Sequence, residues 1–102
     1  MKVLLRPEAE EDVAAAVAWY ARADWQLAQD FVTEVRRTTS RIRQLPFQFP
    51  EAAQNVRRAM LHRFPYAVYF VPRESFAAIV AILHTKRRSA LWEKRARREE
   101  EG

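Results

Sequence analysis

A group of basic residues in the second half of the chain dominates the chemistry that this sequence could perform. Its members are Arg57, Arg58, Arg63, Lys86, Arg87, Arg88, Lys94 and Arg95. Guanidinium and ammonium groups bind phosphates and carboxylates, and they can stabilise the negative charge that develops during phosphoryl transfer. If the strands that carry these residues share one sheet, several of the cations converge at one edge. The pattern therefore predicts a surface for an anionic partner, with a merely solubilising surface as the alternative.

The charge of the chain is unevenly distributed. The 102 residues include 18 Lys or Arg and 13 Asp or Glu, which gives a formal net charge of +5. Residues 35–98 contain fifteen basic residues and three acidic ones, whereas residues 1–34 contain three basic and seven acidic ones. This distribution indicates nucleic acid, a nucleoprotein or an acidic protein segment as the partner.

Two histidines, His62 and His84, are candidates for acid–base chemistry. Neither belongs to an HExxH-like pair, so we expect no metal site. His84 closes an apolar run on the predicted face of Val80 and Ile82, where a lone histidine more often makes a hydrogen bond than acts as a catalyst. His62 lies in an Arg-rich strand, where the neighbouring cations favour the neutral ring.

Cysteine is absent from the chain, and its one glycine is Gly102. The missing cysteines exclude disulfides, thiol nucleophiles and Cys-ligated metals, and the missing glycines exclude Gly-rich phosphate-binding turns. No apolar run approaches the roughly 20 residues that span a bilayer, and no signal peptide is evident. We therefore expect a small cytoplasmic protein without a cofactor or a membrane segment.

Two amphipathic helices are predicted in the first half of the chain. Val3-Leu4-Leu5 suits a short strand that ends at Pro7, and Pro7 suits the first turn of a helix. Acidic residues follow it, and apolar residues then recur at spacings of three and four. Asp24 can cap a second helix that runs from Trp25 to Pro46. Because the connection is short, the two helices should form an antiparallel hairpin.

Three strands are predicted after a loop that ends at Asn55. They span Val56–Phe64, Tyr66–Val71 and Phe76–Leu83. In the third strand Ala alternates with larger residues on both faces, which is typical of a central strand. The predicted order is β-α-α-β-β-β, an α+β fold in which a helical hairpin packs on one face of a mainly antiparallel sheet.

The C-terminal region is basic as far as Arg98 and acidic after it. Ser89-Ala90-Leu91-Trp92 can begin a short C-terminal helix. Trp92 lies outside the apolar runs, so it either packs this region onto the sheet or stacks on a ligand. We expect residues 1–98 to form a single domain and residues 99–102 to be a disordered acidic tail.

Three local strings accompany this order of elements. The first runs from Pro7 to Asp12 and on to Ala18-Trp19-Tyr20. The second comprises Val56-Arg57-Arg58 and the stretch from Arg63 to Phe70, and the third runs from Ile82 to Arg88, followed by Trp92 and Arg95. Together they resemble the RelE/ParE superfamily of bacterial toxins from type II toxin–antitoxin modules. The resemblance covers roughly residues 1–95 and is greatest to the ParE branch, whose members are often labelled plasmid-stabilisation proteins.

The resemblance implies a compact toxin that a cognate antitoxin holds inactive. ParE-type members poison DNA gyrase, whereas RelE-type members cleave messenger RNA in the ribosomal A site and commonly carry a Tyr near the C-terminus. The last Tyr of this chain is Tyr69, inside a predicted strand. Three interpretations follow in order of preference: a non-enzymatic gyrase-directed toxin, a ribosome-dependent endoribonuclease, and an inactive relative that still binds the antitoxin or DNA.

These interpretations assign the candidate residues. In the first, the target-binding candidates are Arg57, Arg58, Arg63, His84, Lys86, Arg87, Arg88, Trp92 and Arg95. In the second, the catalytic candidates are His62, His84, Arg63 and Lys86. We expect the antitoxin to bind through an amphipathic, acidic segment that crosses the helical hairpin and reaches the sheet edge near residues 57–63.

Overall fold

The computed structural model describes all 102 residues. Its strands are β1 (Lys2–Leu5), β2 (Glu51–Ala53), β3 (Val56–Met60), β4 (Tyr66–Pro72) and β5 (Phe76–His84). Its helices are α1 (Pro7–Ala23), α2 (Trp25–Gln44) and α3 (Ser89–Glu101), and a 3-10 turn spans Pro46–Gln48. The predicted α+β order is confirmed, with β2 and the 3-10 turn added inside the stretch predicted as a loop. None of the helices combines the length and the apolar character needed to cross a membrane.

Helices α1 and α2 form the predicted hairpin. Pro7 occupies the first turn of α1. Asp24 caps α2, because its carboxylate accepts a hydrogen bond from the backbone N–H of Gln26 at 2.9 Å. Phe31 and Ile42 of α2 are fully buried in the core that the hairpin shares with the sheet. The apolar stripe of the sequence therefore becomes the face that packs on the sheet.

The sheet has the strand order β1-β5-β4-β3-β2. Strand β1 runs parallel to β5, and the other neighbouring pairs are antiparallel. Residues 77–83 of β5 are buried, which confirms that this strand is covered on both faces. Strand β3 ends at Met60 rather than at Phe64, because the backbone N–H groups of His62 and Arg63 donate to a side chain of α2 instead of to a strand.

A β-bulge at Val80 changes which residues share a face of β5. Tyr69 lies opposite Ala81, whereas the next residue of β4, Phe70, lies opposite Ile79, so Val80 is the extra residue. Val80 packs in the core under α3, and Ile82 packs in the core under the hairpin. The prediction that His84 shares a face with both Val80 and Ile82 is therefore wrong for Val80.

The unpaired edge of β5 beyond β1 is covered by an ion pair. Strand β1 pairs with β5 only as far as Ile79. Asp12 of α1 accepts hydrogen bonds from the backbone N–H of Ile82 at 3.0 Å and from Arg95 of α3 at 2.7 Å. Arg95 also donates to the carbonyl of Val80 at 3.1 Å. The pair thereby satisfies strand groups that would otherwise lack partners and joins both helical layers to the sheet.

The prediction of a disordered tail is wrong for Glu99. Helix α3 continues to Glu101, and Glu99 is buried. Its carboxylate accepts two hydrogen bonds from Arg6, at 2.6 and 2.8 Å, and a third from Arg73 at 2.6 Å. Both guanidinium groups also lie over the ring of Phe76. The last turns of α3 are ordered because this carboxylate bridges two cations from distant parts of the chain.

This cluster predicts a specific loss of stability in acid. The hydrogen bonds from Arg6, opposed by burial, hold the pKa of the Glu99 carboxyl below its usual value near 4.5. A depressed pKa in the folded state gives stability that is complete above pH 4.5 and is lost as the pH falls through the lower folded-state value. In thermal melts we expect Glu99→Gln to lower the Tm at pH 7 and to differ less from the parent chain at pH 3.

Glu100→Gln is the matched control, because Glu100 is the exposed neighbour of Glu99 on the same helix. It should melt like the parent chain at every pH. A Glu99→Gln melting curve that parallels that of the parent across the whole pH range would contradict a stabilising carboxylate at this position.

Candidate functional site

The turn between β3 and β4 and the connection between β5 and α3 lie side by side at one end of the sheet. The backbone N–H of Thr85 donates to the carbonyl of Pro65 at 2.8 Å, and Tyr66 lies opposite His84 across the two strands. Six exposed or half-buried cationic and imidazole groups gather there. We call this set the basic end. Its members are His62, Arg63, His84, Lys86, Arg87 and Arg88.

Lys86, Arg87 and Arg88 are the most accessible part of the basic end. All three are exposed, and none of them forms an ion pair within the chain. Their backbone is nevertheless held in place, because the N–H of Arg87 donates to the carbonyl of His84 at 2.9 Å. A fixed turn that carries unpaired cations can bind an anionic surface with little loss of backbone freedom.

His84 is a structural part of this turn. Its Nδ1 accepts a hydrogen bond from the backbone N–H of Lys86 at 3.1 Å, which leaves the proton of the neutral ring on Nε2. The ring packs edge-on against Tyr66, with 5.4 Å between the centroids. Burial raises the pKa of the Tyr66 phenol, and the nearby charge of Arg87 only partly opposes that effect. The phenol therefore stays protonated at neutral pH.

His62 and Arg63 are positioned by Glu34, a residue that the sequence analysis does not single out. Glu34 is buried on α2, and its Oε1 accepts the backbone N–H groups of His62 at 3.0 Å and of Arg63 at 2.8 Å. Its sequence position carries a signal, because Glu34 follows Phe31 by three residues on the apolar stripe of α2. A carboxylate at such a position needs hydrogen-bond donors from elsewhere in the chain.

Arg57 and Arg58 lie at the start of β3, away from the basic end. The guanidinium of Arg57 donates to the carbonyl of Phe49 at 2.6 Å and lies over the ring of Phe47, so it holds the segment that follows α2. Arg58 is exposed and lies opposite Tyr69. The expected convergence of cations at one edge therefore includes Arg63 and the residues 86–88, but not Arg57 and Arg58.

Trp92 and Arg95 are correctly placed in the C-terminal helix, but they do not form a free surface. Trp92 is only 5% exposed and stacks on Tyr69, with 4.6 Å between ring centroids and 11° between the ring planes. Arg95 is paired with Asp12 as described above. Both side chains hold α3 against the sheet, which corrects their assignment as target-binding candidates.

The tip of the helical hairpin presents a second surface, which sequence reasoning missed. Trp19 and Trp25 are 64% and 63% exposed, on consecutive helices near their connection. The guanidinium of Arg22 lies over the ring of Trp19, and Leu27 lines a shallow cavity of about 420 Å³ beside it. Trp25 lines a separate cavity, with Val17 of α1 and Gln29 of α2. We call Trp19, Arg22, Trp25 and Leu27 together the hairpin tip. Large exposed aromatic residues on adjacent elements are typical of protein-binding surfaces.

No group of three or more His, Asp or Glu residues lies close enough together to hold a metal ion. No carboxylate forms a hydrogen bond with the ring of His62 or His84, although Glu34 binds the backbone N–H of His62. What the geometry provides is a cluster of exposed cations on a hydrogen-bonded turn at one end of the sheet and exposed tryptophans at the hairpin tip. Both suit binding to macromolecules.

Comparisons with known proteins place these features in a family context. A family model described as the ParE toxin of the type II toxin-antitoxin system, parDE, matches residues 3–89. A solved structure described as the chromosomal ParDE TA system from P. aeruginosa is similar with a TM-score of 0.74 and 20% sequence identity, over 82% of this chain and 95% of that chain. No curated protein matches the chain. Helix α3 begins at the last residue of the family match.

Proposed function

Because the chain belongs to the ParE toxin family of type II toxin–antitoxin systems, we propose that it arrests growth by binding DNA gyrase and that a cognate antitoxin neutralises it. The observation that carries the gyrase assignment is the basic end. Its exposed cations, Lys86, Arg87 and Arg88, have no ion-pair partner and lie on a hydrogen-bonded turn, whereas Nδ1 of His84 is engaged by the backbone N–H of Lys86. The proposed toxicity requires binding to the target and no proton transfer. The proposed target places its action in the cytoplasm.

The alternative activity, cleavage of messenger RNA on the ribosome, is less well supported by the geometry. Nδ1 of His84 is already occupied by a backbone donor, and the phenol of Tyr66 is half-buried against the His84 ring. No tyrosine follows Tyr69 in the chain. A general acid or base usually contributes about 10²–10⁴-fold to a rate, so a nuclease would depend strongly on one such group.

We place the antitoxin on the hairpin tip. Trp19 and Trp25 supply the large, weakly solvated side chains that dominate binding energies at protein interfaces. An amphipathic antitoxin helix would cover them with its apolar face, and its acidic face would meet the arginines of the chain. The hairpin connection lies at the same end of the sheet as the basic end, because Tyr20 packs against Phe64 and Tyr66 and Asp30 pairs with Arg63.

The test of this placement is the double variant Trp19→Ala/Trp25→Ala. We expect its affinity for the antitoxin encoded beside it to fall about tenfold or more, because truncating central aromatic residues typically costs more than about 1 kcal/mol each. The Tm should change little, since both side chains are mostly exposed. Calorimetric titration measures the affinity, and co-expression shows whether growth arrest is still relieved.

Phe47→Ala provides the control, because Phe47 is 62% exposed but lies outside the hairpin tip. It should bind the antitoxin like the parent chain. If both variants bind equally well, the antitoxin occupies another surface.

A further inference from the structure

We propose that a groove between α2 and the β3–β4 turn binds an acidic peptide segment of the antitoxin. The groove has a volume of about 590 Å³. It is lined by Glu34, Arg37, Ser40, Arg41, His62 and Arg63. No lining residue is hydrophobic, so the groove suits a polar occupant. The inference rests on the proposed function only in naming the antitoxin as the source of the acidic segment.

The charge of the groove is net positive, because three arginines line it with one glutamate. Arg37 is exposed and has no ion-pair partner. Arg63 has one loose partner, Asp30, at 3.5 Å. The single acidic lining residue, Glu34, has its Oε1 engaged by two backbone N–H groups, and its charge offsets one of the three arginines. The groove therefore retains a strong preference for an anion.

Two of the three arginines of the groove, Arg41 and Arg63, also contact aromatic rings. The guanidinium of Arg41 lies 5.7 Å from the ring centroid of Phe49, and that of Arg63 lies 5.8 Å from the ring centroid of Phe64. These cation–π contacts restrict both side chains. Arg37 and Arg41 stand one helical turn apart, where like charges disfavour the helix. A cluster that costs stability and is partly prearranged fits a binding role better than a solubilising one.

The occupant that these features favour is a peptide rather than a nucleic acid. Single-stranded nucleic acid is usually bound by cations together with exposed aromatic rings on which bases stack. Here the rings of Phe49 and Phe64 lie under guanidinium groups, and the imidazole of His62 is the one aromatic ring that lines the groove. Guanidinium groups match carboxylates in a two-pronged geometry, and the Ser40 hydroxyl can bond to peptide groups.

The position of the groove also agrees with the proposed path of the antitoxin. Trp25 of the hairpin tip begins α2, and Arg37 lies twelve residues further along the same helix. At the rise of an α-helix this separation is about 18 Å. An antitoxin chain that covers the hairpin tip can therefore continue along α2 and place acidic residues in the groove.

The experiment compares two double variants that remove the same charge. Arg37→Ala/Arg41→Ala removes two of the three arginines that line the groove. Arg43→Ala/Arg97→Ala removes two exposed arginines that have no ion-pair partner and lie outside the groove. The probe is a fluorescent dodecapeptide of alternating Glu and Ala, measured by anisotropy on the full chain. We expect the groove variant to lose about tenfold in affinity and the control to lose less than about twofold.

A second variant, Arg37→Glu, guards against a folding defect, because Arg37 is exposed and Arg41 is half-buried. It should weaken peptide binding at least as much. Equal losses in the groove and control variants would show that only net charge matters and would overturn the inference. A thymidylate oligonucleotide of equal charge that loses more affinity than the peptide in the groove variant would overturn it in favour of nucleic acid.

Growth assays separate this inference from the proposed function. The groove variant should still arrest growth, and co-expressed antitoxin should relieve the arrest less completely than for the parent chain. A parent chain that does not arrest growth would contradict the proposed function, while the peptide titrations would still decide the occupant of the groove.

Discussion

Phe31→Ala is expected to cause a severe loss of stability that lowers the Tm strongly. Phe31 has no exposed surface, and its ring lies 5.3 Å from that of Phe64 and 5.0 Å from that of Tyr66. Removing a buried Phe side chain typically costs about 3–5 kcal/mol, against total stabilities of about 5–15 kcal/mol. Ile82→Ala, also fully buried, should cost about 2–5 kcal/mol. Thermal melts followed by circular dichroism measure both losses.

Arg87→Ala and Arg88→Ala are the controls for this experiment. Both residues are exposed and make no ion pair, so each variant should melt within about 3 °C of the parent chain. If either variant melts as early as Phe31→Ala, these arginines support the fold and do not belong in a binding surface.

The triple variant Lys86→Ala/Arg87→Ala/Arg88→Ala is expected to lose most of its toxicity while it remains folded. The three exposed cations form the accessible part of the basic end. Losing three charge contacts should weaken target binding by about tenfold to a hundredfold. Because these contacts lie in solvent, the affinity of the parent chain for gyrase should itself fall as salt is added, and the variant should respond to salt less steeply.

Two further sets of variants test whether the loss of toxicity depends on the position of the charges and whether it involves proton transfer. Lys2→Ala/Arg43→Ala/Arg97→Ala removes the same charge from exposed positions elsewhere and should remain toxic. His62→Ala and His84→Ala should each retain most of the toxicity, because the proposed mechanism transfers no proton. Loss of growth arrest in a folded histidine variant would instead indicate the general acid or base of a nuclease.

The fold was largely predictable because its elements are encoded locally. Pro7 and Asp24 mark the helix starts, and the apolar spacing of α2 identifies the buried face that contains Phe31 and Ile42. What the sequence could not show depends on contacts between distant residues. Arg6 and Glu99 are 93 positions apart, so the order of the last turns of α3 has no local signal. Strand β2 has only three residues, too few for an alternating pattern to be recognised.

The candidate site was predictable only in part, because some of its residues are positioned by contacts with distant parts of the chain. The strand order brings Arg63 next to residues 86–88 once the sheet is assembled, as the sequence pattern suggested. Trp92 was ambiguous, because its place outside the apolar runs gave no sign of the stacking partner Tyr69. The single extra residue of the bulge at Val80 broke the alternation on which the placement of His84 relied. Exposed Trp19 and Trp25 looked like ordinary members of amphipathic helices.

The most direct measurement is a comparison of DNA and transcripts after the chain is induced in growing cells without its antitoxin. Chromosome breakage and plasmid supercoiling report on gyrase, and primer extension across abundant messages reports on cleavage at the ribosome. We expect broken or relaxed DNA with intact transcripts, and the triple variant at residues 86–88 should abolish the DNA effect. Transcripts cut within reading frames while the DNA stays intact and supercoiled would contradict the assignment of gyrase as the target.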